Sequence, residues 1–297
     1  MERTARADEA PVAHDALDAA FERLAAAGFE LPNGFVNHGP MACEALDALD
    51  IGADLEKWAA RFSHVRGGVD VAPVVDPVSF DGPAHLGDYD CLPEWIGFFE
   101  ASIRVNGWEA VVAEWVPVLV PAFSNKLFHG AIRAAHATRA ISSSDGPARR
   151  DELARALAYW AARFEPGAVA AVLDDPDVRS AVLDAGVTAA RRYVEDPNIF
   201  TLHGVTSAMA ADLLLPHMGE TGGLELLARV RADHASFYGA ATPPVPTIAA
   251  TMAWPAVSSD AAASHDPHQV KLVEACKRGW EATGDGAFTR AATIVTG

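Results

Sequence analysis

Apolar residues recur at intervals of three and four along nearly the whole chain, and strict alternation of apolar and polar residues is almost absent. That spacing lines one face of a helix and not one face of a strand, so the chain predicts an all-α fold. "HDALDAAFERLAAAG" carries the pattern up to Gly28, and "GPMACEALDALDIG" starts with Pro40 at the first helical position and stops at Gly52. It continues through "DLEKWAARF", "LPEWIGFFEASIRV", "GWEAVVAEWVPVLV", "NKLFHGAIRAAHATRA", "ARRDELARALAYWAARF" and "DVRSAVLDAGVTAARRYV". "LHGVTSAMAADLLLPHM", "GLELLARVRADHASFY" and "PHQVKLVEACKRGWEA" complete the set. Two stretches interrupt it. Residues 65–91 and 239–263 are rich in Gly, Pro and small residues, yet hold aromatic and branched apolar side chains that call for burial. They predict two long loops that wall or cover a site rather than linkers between domains. The expectation is a single domain over residues 1–297, a multi-helix bundle with two long loops.

Charge narrows the function classes. With 23 basic against 40 acidic residues and a formal net charge of -17, the chain lacks the basic patch that nucleic acid or an anionic membrane requires. Half of its residues are apolar, as in folded chains. Its first residues, "MERTARADEAPVAHDAL", are polar and lack the apolar core of a secretion signal. No apolar run reads as membrane-spanning, so a cytoplasmic location is expected. Cys43, Cys91 and Cys276 are odd in number and far apart, and no Cys-x-x-Cys occurs. This usage predicts neither a disulfide framework nor a thiolate zinc site.

The histidines carry the chemistry. Of eleven, three directly precede glycine: His38, His129 and His203. Each lies near the start of a helix. At about 100° per residue, His38 shares a face with Met41, Ala42, Ala45 and Leu49. His129 shares one with Ile132, Arg133, His136 and Ala140, and His203 with Thr206, Ser207, Ala210 and Leu214. Glu44 and Asp47 fall on the opposite face of the first helix and Asp212 on that of the third, so each imidazole is expected to point inward. The following glycine lets another helix or a bound group come close. A fourth histidine, His268, opens the last long helix behind Asp266 as N-cap and Pro267 at the first position, with Gln269 completing a capping-box pattern. Inward imidazoles are ordinarily hydrogen-bonded core residues, but several converging from different helices are how bundles bind transition metals.

Lys271 follows His268 by three residues, at the margin of the inward face near Arg278, and periodicity leaves its burial open. An ammonium cannot ligate a metal. A lysine buried beside a cation loses its proton, and the neutral amine can react with carbon dioxide to give a carbamate, an anionic oxygen donor on a long arm. Three residues from His268, it would reach the same ion. Lys126, three before His129, is the spare candidate.

Four segments in series, "NHGPMACEALDALDIGADLEKWAARF", "KLFHGAIRAAHATRA" followed by "LARALAYWA", "LHGVTSAMAADLLLP" and "DPHQVKLVEAC", resemble the questin oxidase-like family. They keep that family's order and span residues 30 to 280. The resemblance implies an α-helical oxygenase that uses dioxygen to open the central ring of hydroxyanthraquinones by a Baeyer–Villiger-type oxidation. It also implies a non-haem iron(II) held by four histidines and a carboxylated lysine. Carried over one position at a time, these are His38, His129, His203, His268 and Lys271. The fungal pattern has a second histidine shortly after the first, where this chain has "GPMA". Arg133 and His136, below His129 on its helix, are candidates to hold a phenolate. Trp254, Phe237 and Tyr238 are candidates to stack on a planar substrate.

The expected function is therefore an iron-dependent oxygenase acting on a small aromatic polyketide or quinone-like substrate, with NADPH as an open question. The alternatives are an NADPH-dependent, metal-free monooxygenase and a non-catalytic helical binding or scaffold protein. No Gly-x-Gly-x-x-Gly follows a strand, so a built-in dinucleotide fold is not expected. "SHDPH" lacks the further histidine and aspartate of a helical phosphohydrolase, and "DDPD" lacks the spacing of a terpene cyclase.

Overall fold

The computed structural model describes residues 15–65, 80–172, 174–239 and 252–297. Among these residues there are thirteen α-helices and no strand, the only β feature being an isolated bridge between Glu30 and Val36. The middles of both expected loops, 66–79 and 240–251, lie outside the described residues.

Four helices position everything that follows: α2 (Gly39–Leu49), α6 (His129–Ser143), α9 (Ile199–Leu214) and α12 (Pro267–Thr283). They pack in a closed square, α2 on α6, α6 on α9, α9 on α12 and α12 on α2. All four run in the same direction, because their N-terminal histidines meet at one level and residues six to ten positions further on meet at another. Parallel neighbours cannot be joined by short turns. Seven of the remaining helices, including α4 (Leu92–Asn106), α7 (Pro147–Ala162), α8 (Val178–Glu195) and α10 (Glu220–Tyr238), occur in the crossovers between them.

The square runs along the seam between two apolar clusters. Met41, Ile132, Ala210 and Leu214 belong to one cluster, which is built largely from α4, α7 and the helix between α4 and α6. Ala42, Ala140, Val205, Met209 and Leu272 belong to the other. Burial of most of each helix explains why their sequences are apolar or small on more than one face. The segment Ile199–His217 reaches the length and apolarity of a membrane span, contrary to the sequence reading, but 72% of its most apolar window is buried inside the protein.

Local signals explain most helix starts. Asp266 accepts the His268 N–H at 2.8 Å with Pro267 in the first turn of α12, and Asn198 and Thr201 form a capping box on α9. Three expectations change. The helix α2 ends at Leu49, not Gly52, because Asp50 takes the left-handed turn at φ 51°. The stretch expected as loop through residue 263 forms α11 (Trp254–Ser264), with Pro255 in its first turn, where proline costs no hydrogen bond. A thirteenth helix, α13 (Gly286–Thr296), packs Phe288 against Gly279 of α12 and was not foreseen from its threonine-rich sequence.

Below the histidines a layer of buried charge ties the square together. Arg139 of α6 forks onto Glu44 of α2 through Nε at 2.6 Å and also donates to Glu274 of α12. Arg278 of α12 returns to Glu274 at 3.0 Å, donates to the Met209 carbonyl of α9 at 2.7 Å and lies 3.6 Å from Asp212. Glu44 and Asp212, which periodicity placed on outward faces, are thus buried, held there by arginines from neighbouring helices. Burial alone would raise the Glu44 and Glu274 carboxyls, but Arg139 and its neighbours outweigh it and hold both below the usual range. Removing one partner of such a pair strands the other in a dry interior. Arg139→Met should cost about 3–5 kcal/mol in urea unfolding, and a loss under about 1 kcal/mol would mean that the layer does not clamp the bundle.

Candidate metal centre

His38 is the N-cap of α2, His129 the first residue of α6, His268 the second of α12 and His203 the fifth of α9. Their imidazoles close into a ring. Nε2 of His129 lies 2.8 Å from Nε2 of His38 and 3.2 Å from Nε2 of His203. The His268 ring centroid is 4.4 Å from that of His38 and 5.5 Å from that of His203. Donor atoms of His38, His203 and His268 all fall within 4.8 Å of one another.

Outer nitrogens orient three of these rings. His129 Nδ1 donates to the Lys126 carbonyl at 2.5 Å and His203 Nδ1 to the Ile199 carbonyl at 2.7 Å. His268 Nδ1 is 3.1 Å from Asp266 Oδ1. A carbonyl only accepts, so Nδ1 carries the proton, and in a neutral ring Nε2 then presents a lone pair. Burial first, with positive neighbours including Lys271, lowers the pKa of all four histidines, so the rings are neutral near pH 7. The Nε2 lone pairs of His129 and His203, facing one another at 3.2 Å, repel unless a cation lies between them. The 2.8 and 3.2 Å separations bracket the roughly 3.0 Å between adjacent nitrogens that each sit about 2.1 Å from one transition ion. The donor set therefore fits such an ion.

The backbone before His129 is strained for this purpose. Lys126, Leu127 and Phe128 are all left-handed, at φ 49°, 53° and 67°. Each costs roughly 1–2 kcal/mol for a residue with a side chain. The turn brings the Lys126 carbonyl back onto His129 Nδ1 and so fixes the ring.

Lys271 lies one helical turn below His268, with Met41, Ile132 and Thr206 at the corresponding positions three residues below the other histidines. It is fully buried, and its amine has no hydrogen-bond partner. Burial lowers its pKa to about 7. A large fraction is therefore neutral at physiological pH, with a lone pair and no proton acceptor to satisfy. This orphaned amine beside four neutral imidazoles is the second sign that the site is built for something further.

The glycines after the histidines serve helix packing. A side chain at Gly39 would meet Phe62 at 2.7 Å, one at Gly130 the Trp160 ring at 2.8 Å, and one at Gly204 the Tyr238 ring at 3.1 Å.

Arg133 and His136 do not join the ring. Arg133 forks onto Glu152 at 2.7 and 2.8 Å and lies 4.6 Å over the Phe29 ring. His136 bonds through Nδ1 to Glu44 in the charged layer. A guanidinium and an imidazole already committed to buried carboxylates are not placed to hold a phenolate. Lys126 lies 3.4 Å from Glu30, which leaves Lys271 as the unpaired amine. Trp254 is buried 5.8 Å from Trp280, away from solvent, whereas Phe237 is half exposed and packs 5.3 Å from Phe128. Sequence reasoning missed Glu44, Arg139, Glu274 and Arg278. The available signal was spacing: each glutamate stands six residues after a site histidine, and each arginine ten after one.

Neither a protein-family model nor a curated protein matches this sequence.

The amine sets a test that needs no ligand. A lysine whose pKa falls from 10.5 unfolded to about 7 folded destabilises the fold at neutral pH, and that cost fades as pH rises toward 10.5. In chelator-treated protein, Lys271→Met should be more stable than the parent at pH 7. The gap should close at up to about 1.4 kcal/mol per pH unit as pH rises. Parallel stability curves for the two proteins would show that the amine is not buried as described.

Proposed function

We propose that the protein is a non-haem iron-dependent oxygenase that opens a ring of an aromatic polyketide or quinone-like substrate. His38, His129, His203 and His268 would hold the iron through Nε2, with a carboxylated Lys271 as the anionic donor. The observation that carries this reading is the ring of four neutral imidazoles, three of them tethered through Nδ1, set one turn above an unpartnered buried amine. The resemblance to ring-opening oxygenases supplies the reaction class. Iron, once bound, supplies the activation of dioxygen, which four imidazoles and one carbamate suit by leaving it moderately electron-rich.

The protein's own groups do the rest. The Lys271 amine adds its lone pair to the carbon of carbon dioxide and releases one proton, leaving the carbamate. Burial without a competing hydrogen bond keeps that amine nucleophilic. The positive ends of α2, α6 and α12 and the first turn of α9 converge here, which favours an anionic carbamate and an ionised phenol on the substrate. Ile199, Phe200 and Phe237 leave apolar surface exposed near the start of α9 and the end of α10, beside His203 and Phe128. A flat aromatic molecule would bury it.

The test joins metal content to turnover. Protein purified without added metal, or reconstituted anaerobically with iron(II), should bind one iron and consume oxygen with a hydroxyanthraquinone, assayed with and without NADPH. Carbon-13 bicarbonate should give a carbamate carbonyl resonance that is absent in Lys271→Ala, and that variant should lose iron. Protein that binds no transition ion under either preparation would sink the iron reading, with NADPH-dependent turnover then separating a metal-free monooxygenase from a scaffold. Lys271→Ala with full iron and turnover would sink the carbamate.

A further inference from the structure

A second cluster lies outside the histidine ring, where α4 begins. Two short 3₁₀ turns, Gly82–His85 and Tyr89–Cys91, precede that helix. His85, Asp88 and Cys91 follow one another at intervals of three, and their donor atoms converge. Cys91 Sγ is 3.6 Å from His85 Nδ1 and 3.3 Å from Asp88 Oδ2, and those two atoms are 3.9 Å apart. Donors bound tetrahedrally to one zinc ion, at about 2.0–2.3 Å each, stand roughly 3.3–3.8 Å apart. The three observed separations lie within about half an ångström of that range.

We infer that His85, Asp88 and Cys91 form a second metal site, for a single zinc-class divalent ion, independent of the iron reading. A thiolate, an imidazole and a carboxylate are the ligand mix that zinc accepts and that magnesium or calcium does not. Binding exchanges the thiol proton, now donated to Asp88, for the ion, and the proton leaves to solvent. His85 and Asp88 are half exposed, which gives the ion an approach and leaves a fourth position for water. Glu94, at the next interval of three, acts electrostatically on Cys91 and keeps a carboxylate oxygen without a hydrogen-bond partner. With Asp90 it adds to the negative charge that a cation would offset.

The turns hold these donors before any ion arrives. The Trp95 indole donates to the His85 carbonyl at 3.3 Å, and the Phe80 ring stacks on the His85 imidazole at 5.0 Å. Gly87 donates to the Ala161 carbonyl at the end of α7, in a left-handed conformation where a Cβ would strike the Phe164 carbonyl at 2.5 Å. Asp88 spends Oδ1 on the Asp90 N–H, which leaves Oδ2 toward the thiol. The sequence argued against a thiolate zinc site because no Cys-x-x-Cys is present. A mixed site with one cysteine, displayed on turns, leaves no such signature.

Cobalt(II) and thiol labelling test the site on the full chain. Cys43 and Cys276 are fully buried, so alkylation of the native protein reports Cys91. Saturating zinc should slow that alkylation several-fold. Cobalt(II) should give a near-ultraviolet thiolate charge-transfer band that is lost in Cys91→Ser and His85→Ala and kept in His203→Ala, a change in the other centre. Zinc titration against a chromophoric chelator should fall by one equivalent in Cys91→Ser. Unchanged alkylation with zinc, or a cobalt spectrum without the thiolate band, overturns the proposal. Both readings use the unsubstituted chain, so they decide even where a variant fails to fold.

Discussion

The structure depends on the buried charge that joins α2, α6, α9 and α12. Glu44, Arg139, Glu274, Arg278 and Asp212 come from all four helices, and each arginine reaches at least two partners. Apolar packing alone would tolerate a slip of one helix along another, since alanine and leucine faces look alike from turn to turn. A forked guanidinium does not tolerate it. One turn is about 5.4 Å, far beyond the reach of a hydrogen bond. The charged layer thus sets the heights at which His38, His129, His203 and His268 stand. Desolvation offsets much of its contribution to stability, so its main effect is on register.

The site itself works against the stability of the fold. Four helices present their positive ends to one point, an uncapped amine is buried there, and three left-handed residues precede His129. Each feature costs free energy in a protein without a bound ion. Each would make sense around a cation with an anionic donor: the helix ends would offset a carbamate's charge, the amine would become a ligand, and the strained turn would aim a ring. The compensation comes from the apolar clusters on either side of the seam.

Much of this was legible in residue spacing. The all-α fold follows from periodicity, and the inward faces of His38, His129 and His203 follow from counting around each helix. The rest depends on contacts between elements that spacing within one helix does not report. Glu44 and Asp212 fall opposite the site histidines in the angular count, and only partners distant in sequence explain their burial. Lys271 fell at the edge of its helix face, where a rotation of a few tens of degrees decides between solvent and core. The proline and serines of Trp254–Ser264 suggested a loop, though proline is at ease in a first turn. His85, Asp88 and Cys91 lie on turns, where no regular period aligns side chains in advance.

The common direction of the four central helices has a consequence for how the protein is made. His38 and His129 are 91 residues apart, and His129 and His203 are 74 apart. Same-direction neighbours require long connections, so no fragment emerging from the ribosome carries more than part of the ring until α12 follows. Contacts this distant in sequence form late. The four-histidine ring can therefore close only after α12 has been made, and a chain truncated before α12 would keep three of its imidazoles and lose both His268 and Lys271.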